Sequence, residues 1–369
     1  MGSAQAMVPA LQELIRRGYE VVTFGVVDTP GYKVFSGAGF NPKSPNNYGQ
    51  TTLTQSSMFT CLTIENPDLV LVGIATPDGN SSEKLALGVA TATGINTACI
   101  IEAWPHLYLE NYAKRDFELY KMVDKFMVFD EISKARMIEA GFLADRVVVT
   151  GVPTNDQLTV LRGKKKEARR EFREKFKIPE AALLFTYAVT MNVKPGEVDI
   201  PHDDPRYMGF EESDVVQEFL RSVCEANAAR DVRAIIRIKP GRDPEPFIEF
   251  ARELFPGTLV VGSEHRDGNQ IICASDVMVG TTTIMLQTAA FLGVFPVSYM
   301  PSLNRPDPQI ANTLGVVRAL YEEGDLRNLL LDVATGVVNL ELAMSRLAQV
   351  NLPTNATTKV ADCIVSLLA

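Results

Sequence analysis

The chain has 369 residues, of which 46% are hydrophobic, and it carries a formal net charge of -9. This length and apolar content favour two ordinary hydrophobic cores over one large core. The acidic balance argues against sequence-independent binding of nucleic acid or anionic lipid, but a small anionic ligand needs only a local cluster of donors.

The five cysteines are widely spaced and form no CxxC pair. The sequence therefore predicts neither a disulfide framework nor a zinc site, and a reducing cytosol suits it best. No apolar run approaches the roughly 20 residues that cross a bilayer, and the first residues lack a secretory signal pattern. We expect a soluble, cytoplasmic protein with no transmembrane segment and no nucleic-acid partner.

The first part of the chain alternates short apolar segments with helical patterns. The apolar segments are rich in β-branched residues and read as buried parallel strands; they cover residues 21–28, 69–75, 97–103, 126–130 and 146–151. The helical patterns between them, such as 81–94 and 130–142, open on Ser or Asp and close near Gly, as capped helices do. This alternation predicts a βαβ series. The chain opens on a helix pattern with no strand ahead of it, which is unusual for a nucleotide-binding lobe.

A second βαβ series follows a highly charged segment. Residues 161–176 alternate basic and acidic side chains at helical spacing, which predicts a solvated linker helix. Apolar segments then recur at residues 183–190, 234–240, 258–262, 277–281 and 295–300. The sequence thus predicts an α/β fold of two Rossmann-like, doubly wound lobes.

The final residues 354–369 form an amphipathic pattern with Val360, Ile364 and Leu367 on one face, so we expect a closing helix that docks on a lobe. The expected domains are a catalytic and acceptor lobe at 1–155, a linker helix at 156–180, a nucleotide-binding lobe at 181–350 and the closing helix at 351–369.

Residues 69–104 resemble the non-hydrolysing UDP-N-acetylglucosamine epimerases and related glycosyltransferases of the glycosyltransferase B superfamily. In that family one strand ends in a Gly-Asp turn before a small-residue helix, and the next strand ends in Glu-Ala. The resemblance places Asp78 and Glu102 at two catalytic carboxylate positions. It implies two lobes facing a cleft that binds a nucleotide-activated sugar. The passage to the interdomain hinge is also similar, with Thr150, Gly151, Pro153 and Asp156 in a Thr-Gly-x-Pro…Asp pattern.

The second half resembles the same superfamily but departs from it at three places. Lys239 stands where the His of a His-Pro pair is usual at the end of a strand, and Gln287 and Thr288 stand where a helix normally carries a ribose-binding Glu. The epimerases' His-Arg-Arg cluster is replaced by the sequence of residues 186–197. The missing cluster argues against epimerase activity, and Gln287 in place of a carboxylate raises the alternative of a non-catalytic relative.

A diphosphate needs free backbone donors and positive potential. The turn Gly280, Thr281, Thr282 and Thr283 opens a helix and offers N–H groups and hydroxyls, unless these threonines only cap the helix.

Five further side chains complete the expected nucleotide and catalytic sites. Arg237 and Lys239 follow a predicted strand at the same edge, where cations can meet phosphate oxygens. Gln287 can hydrogen-bond a hydroxyl, and His265 lies where relatives contact the base. His106 follows Glu102 closely and either lines the acceptor side or makes a structural turn.

Each catalytic candidate has a structural alternative. Asp78 and Glu102 end predicted strands beside the expected cleft, where either could act as a base. Asp78 could instead make an Asx turn. Glu102 could instead be a buried structural carboxylate with a hydrogen-bond partner. The acidic segment around His202 could bind a metal ion, but such a polar segment is more typical of a solvated loop. We expect no metal and no cofactor, because helix dipole and cations can stabilise a leaving diphosphate.

Three functions remain open. The leading interpretation is a glycosyltransferase-like enzyme that moves a sugar from a nucleotide-diphosphate donor to an unknown acceptor. The alternatives are a sugar-nucleotide epimerase and a non-catalytic relative that binds a nucleotide sugar or a partner. Homo-oligomerisation is left open by the sequence.

Overall fold

The structure is a computed structural model that describes residues 2–74, 81–104, 109, 114–190, 199–204, 206–239, 242–262, 268–349 and 353–368. The chain divides into two compact units, Met1–Thr159 with Leu352–Ala369, and Val160–Asn351. Each unit is an α/β layer structure around its own parallel sheet, so the predicted fold class is confirmed. In the described part of the chain, no helix is long and apolar enough to span a membrane.

The strands of the described residues are short and follow the chain from one unit into the other. They are β1 (Leu69–Gly73), β2 (Asn96–Ile100), β3 (Lys125–Val128), β4 (Val147–Val149), β5 (Leu183–Ala188), β6 (Val232–Arg237), β7 (Leu259–Val261), β8 (Val277–Gly280), β9 (Phe295–Tyr299) and β10 (Arg318–Leu320).

The helices alternate with these strands and also open and close the chain. They are α1 (Gly2–Arg16), α2 (Pro30–Gly37), α3 (Gln55–Glu65), α4 (Ser82–Thr93), α5 (Lys114–Lys121), α6 (Glu131–Glu139), α7 (Thr154–Gly163), α8 (Lys165–Lys175), α9 (Glu212–Asn227), α10 (Glu245–Leu254), α11 (Gly268–Ala274), α12 (Ile284–Phe291), α13 (Ile310–Thr313), α14 (Asp325–Thr335), α15 (Leu340–Ser345) and α16 (Ala356–Val365). A 3-10 helix covers Pro45–Tyr48.

The first unit has a four-stranded parallel sheet in the order β1-β2-β3-β4. Its helices begin and end as the sequence predicts. The hydroxyl of Ser81 accepts a hydrogen bond from Lys84 N–H at the start of α4. The carboxylate of Asp130 accepts one from Ser133 N–H at the start of α6. Gly94 closes α4 with a φ of 75°, a left-handed conformation that suits glycine.

The strand predicted at residues 21–28 is wrong. This segment forms one isolated parallel bridge, in which Phe24 pairs with Lys43. Val22, Val26 and Val27 remain 42%, 38% and 44% exposed. A continuous apolar run becomes a buried strand only when neighbouring strands and covering helices enclose it. Among the described strands, β1 pairs only with β2, so no ladder connects this segment to the sheet.

The closing helix α16 packs within the first unit, against α1. The carboxylate of Asp156 accepts hydrogen bonds from the N–H groups of Ala356 and Thr357, both at 2.9 Å. These are orphan donors of the first helical turn. Val360 and Ile364 are buried, and Leu367 is half-buried. The pattern that predicted an amphipathic helix therefore corresponds to a helix fixed at its start by a capping carboxylate.

The second unit has a six-stranded parallel sheet in the order β10-β9-β8-β5-β6-β7. Chain order runs outward from β5 in both directions, so the sheet is doubly wound with its switch point between β5 and β8. All six residues of β5 are buried, because this strand lies inside the sheet and helices cover both faces. One face packs against α9 and the other against α8 and α11.

The charged segment 161–176 contributes to the core of the second unit. Arg173 of α8 is 1% exposed. Its guanidinium donates to the Ala274 carbonyl at the end of α11, at 3.1 Å, and to Asp276, at 2.9 Å. Lys165 donates to the Gly293 carbonyl just beyond α12. Cations at helix carboxyl ends satisfy orphan carbonyls and complement the helix dipole.

Candidate functional site

The carboxyl edge of the second sheet carries the strongest candidate site. In a doubly wound sheet, ligands bind outside the carboxyl ends of the strands at the switch point, which here lies between β5 and β8. The strand register aligns Gly280 with Ala188, and Ala188 with Arg237. The structure therefore brings the predicted turn and the predicted cation to the same edge of one sheet.

Gly280 ends β8, where there is no room for a side chain. An added Cβ would lie 2.8 Å from Thr283 Cγ2 and 3.3 Å from the Ala188 carbonyl oxygen. The first distance is shorter than real Cβ contacts. A larger residue would therefore displace Thr283, the N-cap of α12, so glycine is needed to keep the turn tight.

The three threonines of the turn have different environments. Thr283 is the N-cap of α12, and its hydroxyl accepts from Met285 N–H at 3.3 Å. The capping interpretation therefore holds for this residue. Thr281 is 0% exposed, and its hydroxyl oxygen has no hydrogen-bond partner among the described residues. Thr282 is half-buried. A buried hydroxyl without a partner costs about 1–3 kcal/mol, which a ligand would recover.

Gln287 lies one helical turn beyond Thr283, on the same face of α12. It is 4% exposed, and its amide nitrogen also finds no acceptor within the described part of the chain. Side chains in helices lean toward the N-terminus. Two buried polar side chains near the start of α12 thus each have a polar atom without a described hydrogen-bond partner. They are Thr281 and Gln287.

The predicted cations lie at the end of β6. Arg237 is 8% exposed, and Lys239 is half-buried with its ammonium 3.5 Å from the Thr190 carbonyl. Burial lowers the pKa of the Lys239 ammonium, and the nearby carboxylate of Glu212 opposes that shift. Two cationic side chains therefore lie beside the switch point, near a buried carboxylate.

A buried carboxylate, Glu212, organises the residues beside these cations. Glu212 is 0% exposed and forms an ion pair with Arg242 at 3.3 Å. It also accepts from Thr190 N–H at 2.6 Å and from the Tyr187 hydroxyl at 3.4 Å. Burial raises the pKa of Tyr187 well above its usual value, so this hydroxyl remains a donor. Arg242 is thus a paired, nearly buried residue.

In the first unit, Glu102 follows the carboxyl end of β2. The hydroxyl of Ser3, near the start of α1, donates to Glu102 Oε1 at 2.8 Å. The Trp104 indole nearby donates to Asp130 at 3.0 Å. Glu102 therefore stands at a strand end, as its catalytic interpretation requires, and has a hydrogen-bond partner, as its structural interpretation requires. Its role stays a prediction.

Three predicted site residues, Asp78, His106 and His265, lie outside the described residues. His202 is described: its ring is 2.7 Å from a Glu211 carboxylate oxygen and lies beside Tyr207, with ring centroids 4.5 Å apart. Within the described ranges, no group of three or more His, Cys, Asp or Glu side chains is arranged to hold a metal ion.

Sequence reasoning missed the buried polar residues that support the turn, Ser298 and Gln309. Ser298 donates to the Thr281 carbonyl at 2.8 Å and Gln309 to the Thr283 carbonyl at 3.1 Å. A serine within the otherwise apolar strand at residues 295–300 was the available signal for the first. Gln309 lies in a loop, where the sequence offered no comparable signal.

The comparisons with known proteins extend over nearly the whole chain at low identity. A UDP-GlcNAc 2-epimerase from Neisseria meningitidis bound to UDP-GlcNAc is 16% identical, with a TM-score of 0.67, covering 98% of this chain and 96% of its own. The Methanocaldococcus jannaschii UDP-GlcNAc 2-epimerase with UDP-GlcNAc and UDP is 14% identical, with a TM-score of 0.62 and coverages of 99% and 96%. MurG from Acinetobacter baumannii is 11% identical, with a TM-score of 0.56 and coverages of 99% and 96%.

No family model matches the chain, and no curated protein matches it by sequence. The structural similarity shows the fold, and it agrees with the glycosyltransferase B resemblance stated from the sequence. The solved epimerases and MurG share the architecture of two α/β lobes.

Proposed function

We propose that the second unit binds the diphosphate of a nucleotide sugar at residues 280–283, and that the chain is a sugar-nucleotide epimerase. The observation that carries the proposal is the start of α12. There, two buried polar side chains lack described partners beside the free N–H groups of a helix N-terminus. Such a helix start attracts anions through its dipole and its orphan N–H donors.

The spacing of the sheet supports a ligand with two phosphates. Neighbouring strands lie about 4.8 Å apart, so Gly280 and Arg237, two strands apart in register, are separated by roughly 10 Å. An arginine side chain can cover most of that distance. Arg237 and Lys239 can therefore bind phosphate oxygens while the turn supplies the N–H groups.

The similar structures support a uridine nucleotide. The epimerase from N. meningitidis is bound to UDP-GlcNAc, and that from M. jannaschii to UDP-GlcNAc and UDP. In our proposal, Gln287 takes the place of a ribose-binding carboxylate and binds the ribose through its amide group.

These similarities favour the epimerase alternative over the glycosyltransferase interpretation. Epimerisation at the carbon next to the anomeric carbon requires a base on one face of the sugar and an acid on the other. The electron pair of the broken C–H bond forms a double bond to the anomeric carbon as UDP leaves, and addition of a proton to the opposite face with return of UDP restores the sugar nucleotide. We propose Glu102 as a proton-transfer residue, with Asp78 as the second carboxylate. Glycosyl transfer stays the second candidate, because MurG shares the fold and the His-Arg-Arg cluster is absent.

Isotope exchange separates the two reactions. The protein is incubated with UDP-GlcNAc in D₂O without an acceptor, and the sugar is followed by proton NMR. An epimerase replaces the proton at the carbon next to the anomeric centre with deuterium, whereas a transferase without an acceptor does not. Glu102→Gln, which keeps the shape and removes the base, should slow the exchange by about a hundredfold to ten-thousandfold.

UDP affinity should change little in Glu102→Gln, because we assign the diphosphate to the second unit. UDP binding without exchange would leave nucleotide binding in place and remove the epimerase proposal. Loss of folding in Glu102→Gln, with no specific kinetic effect, would assign Glu102 a structural role.

A further inference from the structure

Two buried side chains fix the direction of two carbonyl groups in the 280–283 turn. The Ser298 hydroxyl donates to the Thr281 carbonyl at 2.8 Å, and the Gln309 amide donates to the Thr283 carbonyl at 3.1 Å. Ser298 is 0% exposed and Gln309 is 1% exposed. The Thr281 carbonyl is therefore held toward the buried Ser298, and the Thr283 carbonyl is held jointly by Gln309 and by the Leu286 N–H of α12, at 3.2 Å.

The direction of each of these carbonyl groups also sets the direction of the N–H group in the same peptide. A trans peptide is planar, and its C=O and N–H bonds point in opposite directions. When Ser298 holds the Thr281 carbonyl inward, the N–H of Thr282 must point outward. Gln309 and the Thr283 carbonyl constrain the N–H of Ile284, the first residue of α12, in the same way. Neither N–H group has a partner inside the helix, because both precede its first internal bond.

A network of hydrogen bonds holds Ser298 in its own orientation. Asn312 donates from its amide to Ser298 Oγ at 3.0 Å and to Asp307 at 2.9 Å. Its nitrogen must face Asp307, because a carboxylate accepts and does not donate. Ser298 Oγ accepts from Asn312, so its single proton goes to the Thr281 carbonyl.

Asp307 joins this network to Gln309 and to the neighbouring strand. It accepts from Gln309 N–H at 2.7 Å and from the Tyr321 hydroxyl at 2.6 Å. Burial first, and then this bond to Asp307, raises the pKa of Tyr321 to about 12. The tyrosine therefore stays a donor at neutral pH. Residues of β9, of α13 and the loop before it, and just after β10 are thus joined by hydrogen bonds into one network that contacts the turn.

We propose that Ser298 and Gln309 are positioning residues that orient the N–H groups of Thr282 and Ile284 toward a bound phosphate. The inference rests on the proposed nucleotide site, since the phosphate is that of the nucleotide sugar. The independent indication of a ligand is the unpartnered buried hydroxyl of Thr281 beside these N–H groups. Preorganised donors bind an anion without the cost of ordering them first.

The test compares Ser298→Ala and Gln309→Met, which remove the two donors with little change of shape. Ser222→Ala is the matched control, because Ser222 is 1% exposed and donates to the Glu218 carbonyl within α9 at 2.7 Å. Calorimetry measures the binding of UDP and of inorganic pyrophosphate, and a thermal melt measures stability. We expect Ser298→Ala and Gln309→Met each to weaken both ligands about tenfold, because bonds to charged groups lose alignment. Ser222→Ala should change neither affinity, because its hydroxyl bonds only within α9.

The outcomes separate this inference from the proposed function. If the unmodified protein binds UDP and both variants bind it equally well, the positioning role is wrong while the nucleotide site stands. If the protein binds pyrophosphate but not UDP, and the variants weaken pyrophosphate, the positioning role stands and the nucleotide proposal falls. If the unmodified protein binds neither ligand, both are overturned.

Discussion

Thr281→Val should stabilise the protein and at the same time weaken its binding of UDP. Thr281 is 0% exposed and its hydroxyl has no hydrogen-bond partner among the described residues. Valine keeps the branched shape and removes the buried polar atom. An unsatisfied buried polar group costs about 1–3 kcal/mol, and replacement by an apolar group of the same shape is neutral or stabilising. For a unit of this size, 1 kcal/mol shifts the melting temperature by about 2–4 °C.

The same substitution removes a hydroxyl that we assign to a phosphate oxygen. A hydrogen bond to a charged group contributes about 1.5–3 kcal/mol, so UDP affinity should fall by roughly tenfold to a hundredfold. Differential scanning fluorimetry without ligand and calorimetry with UDP give the two quantities. The matched control is Thr335→Val, an exposed threonine of α14. A lower melting temperature with unchanged UDP affinity would refute the reasoning, because the hydroxyl would then be structural.

Three further predictions concern stability. Arg173→Met removes the guanidinium that donates to Asp276 and to the Ala274 carbonyl. Arg169 still pairs with Asp276 at 3.1 Å, so the expected cost of about 1–3 kcal/mol in a denaturant melt comes mainly from buried acceptors left unsatisfied. Arg170→Met on the exposed face of α8 should change little, and equal effects would contradict the buried pairing. Asp156→Ala removes the cap of α16 and should cost about 1 kcal/mol, with faster amide exchange in α16; unchanged protection there would count against it. Hydrogen bonding to Lys43 lowers the pKa of Glu65, so the ionised Glu65 stabilises the fold fully above the ordinary glutamate pKa of about 4.3, and this stabilisation is lost as the pH falls through the lowered folded pKa. The difference in melting temperature between the unmodified protein and Glu65→Gln should therefore shrink on acidification. A difference that persists at low pH would show that the ion pair contributes nothing.

The sequence predicts most strands because short apolar runs between capped helices leave few other structures. It fails at residues 21–28, where the local pattern is strand-like but no described strand of the sheet pairs with the segment. It also misses β10, since the three residues Arg318–Leu320 lie in a region whose pattern is mostly helical.

Only part of the candidate site, likewise, could be predicted from the sequence. The turn at residues 280–283 was predictable, because small residues between a strand and a helix indicate an anion site locally. Outside the site, the burial of Arg173 in the core of the second unit was not predictable, because it depends on a carbonyl group of α11 about a hundred residues away. Gln309 was missed for the same reason: its partner, the Thr283 carbonyl, is 26 residues distant. Hydrogen bonds across loops depend on tertiary structure, which local patterns do not encode.

A crystal structure of the protein with UDP is the most direct test of the account. We predict that a phosphate lies at hydrogen-bond distance from the N–H groups of Thr282 and Ile284, with the Thr281 hydroxyl as a further donor and Arg237 or Lys239 on the remaining oxygens. Phosphates bound away from the start of α12, with Thr281 and Gln287 still unpartnered, would contradict it.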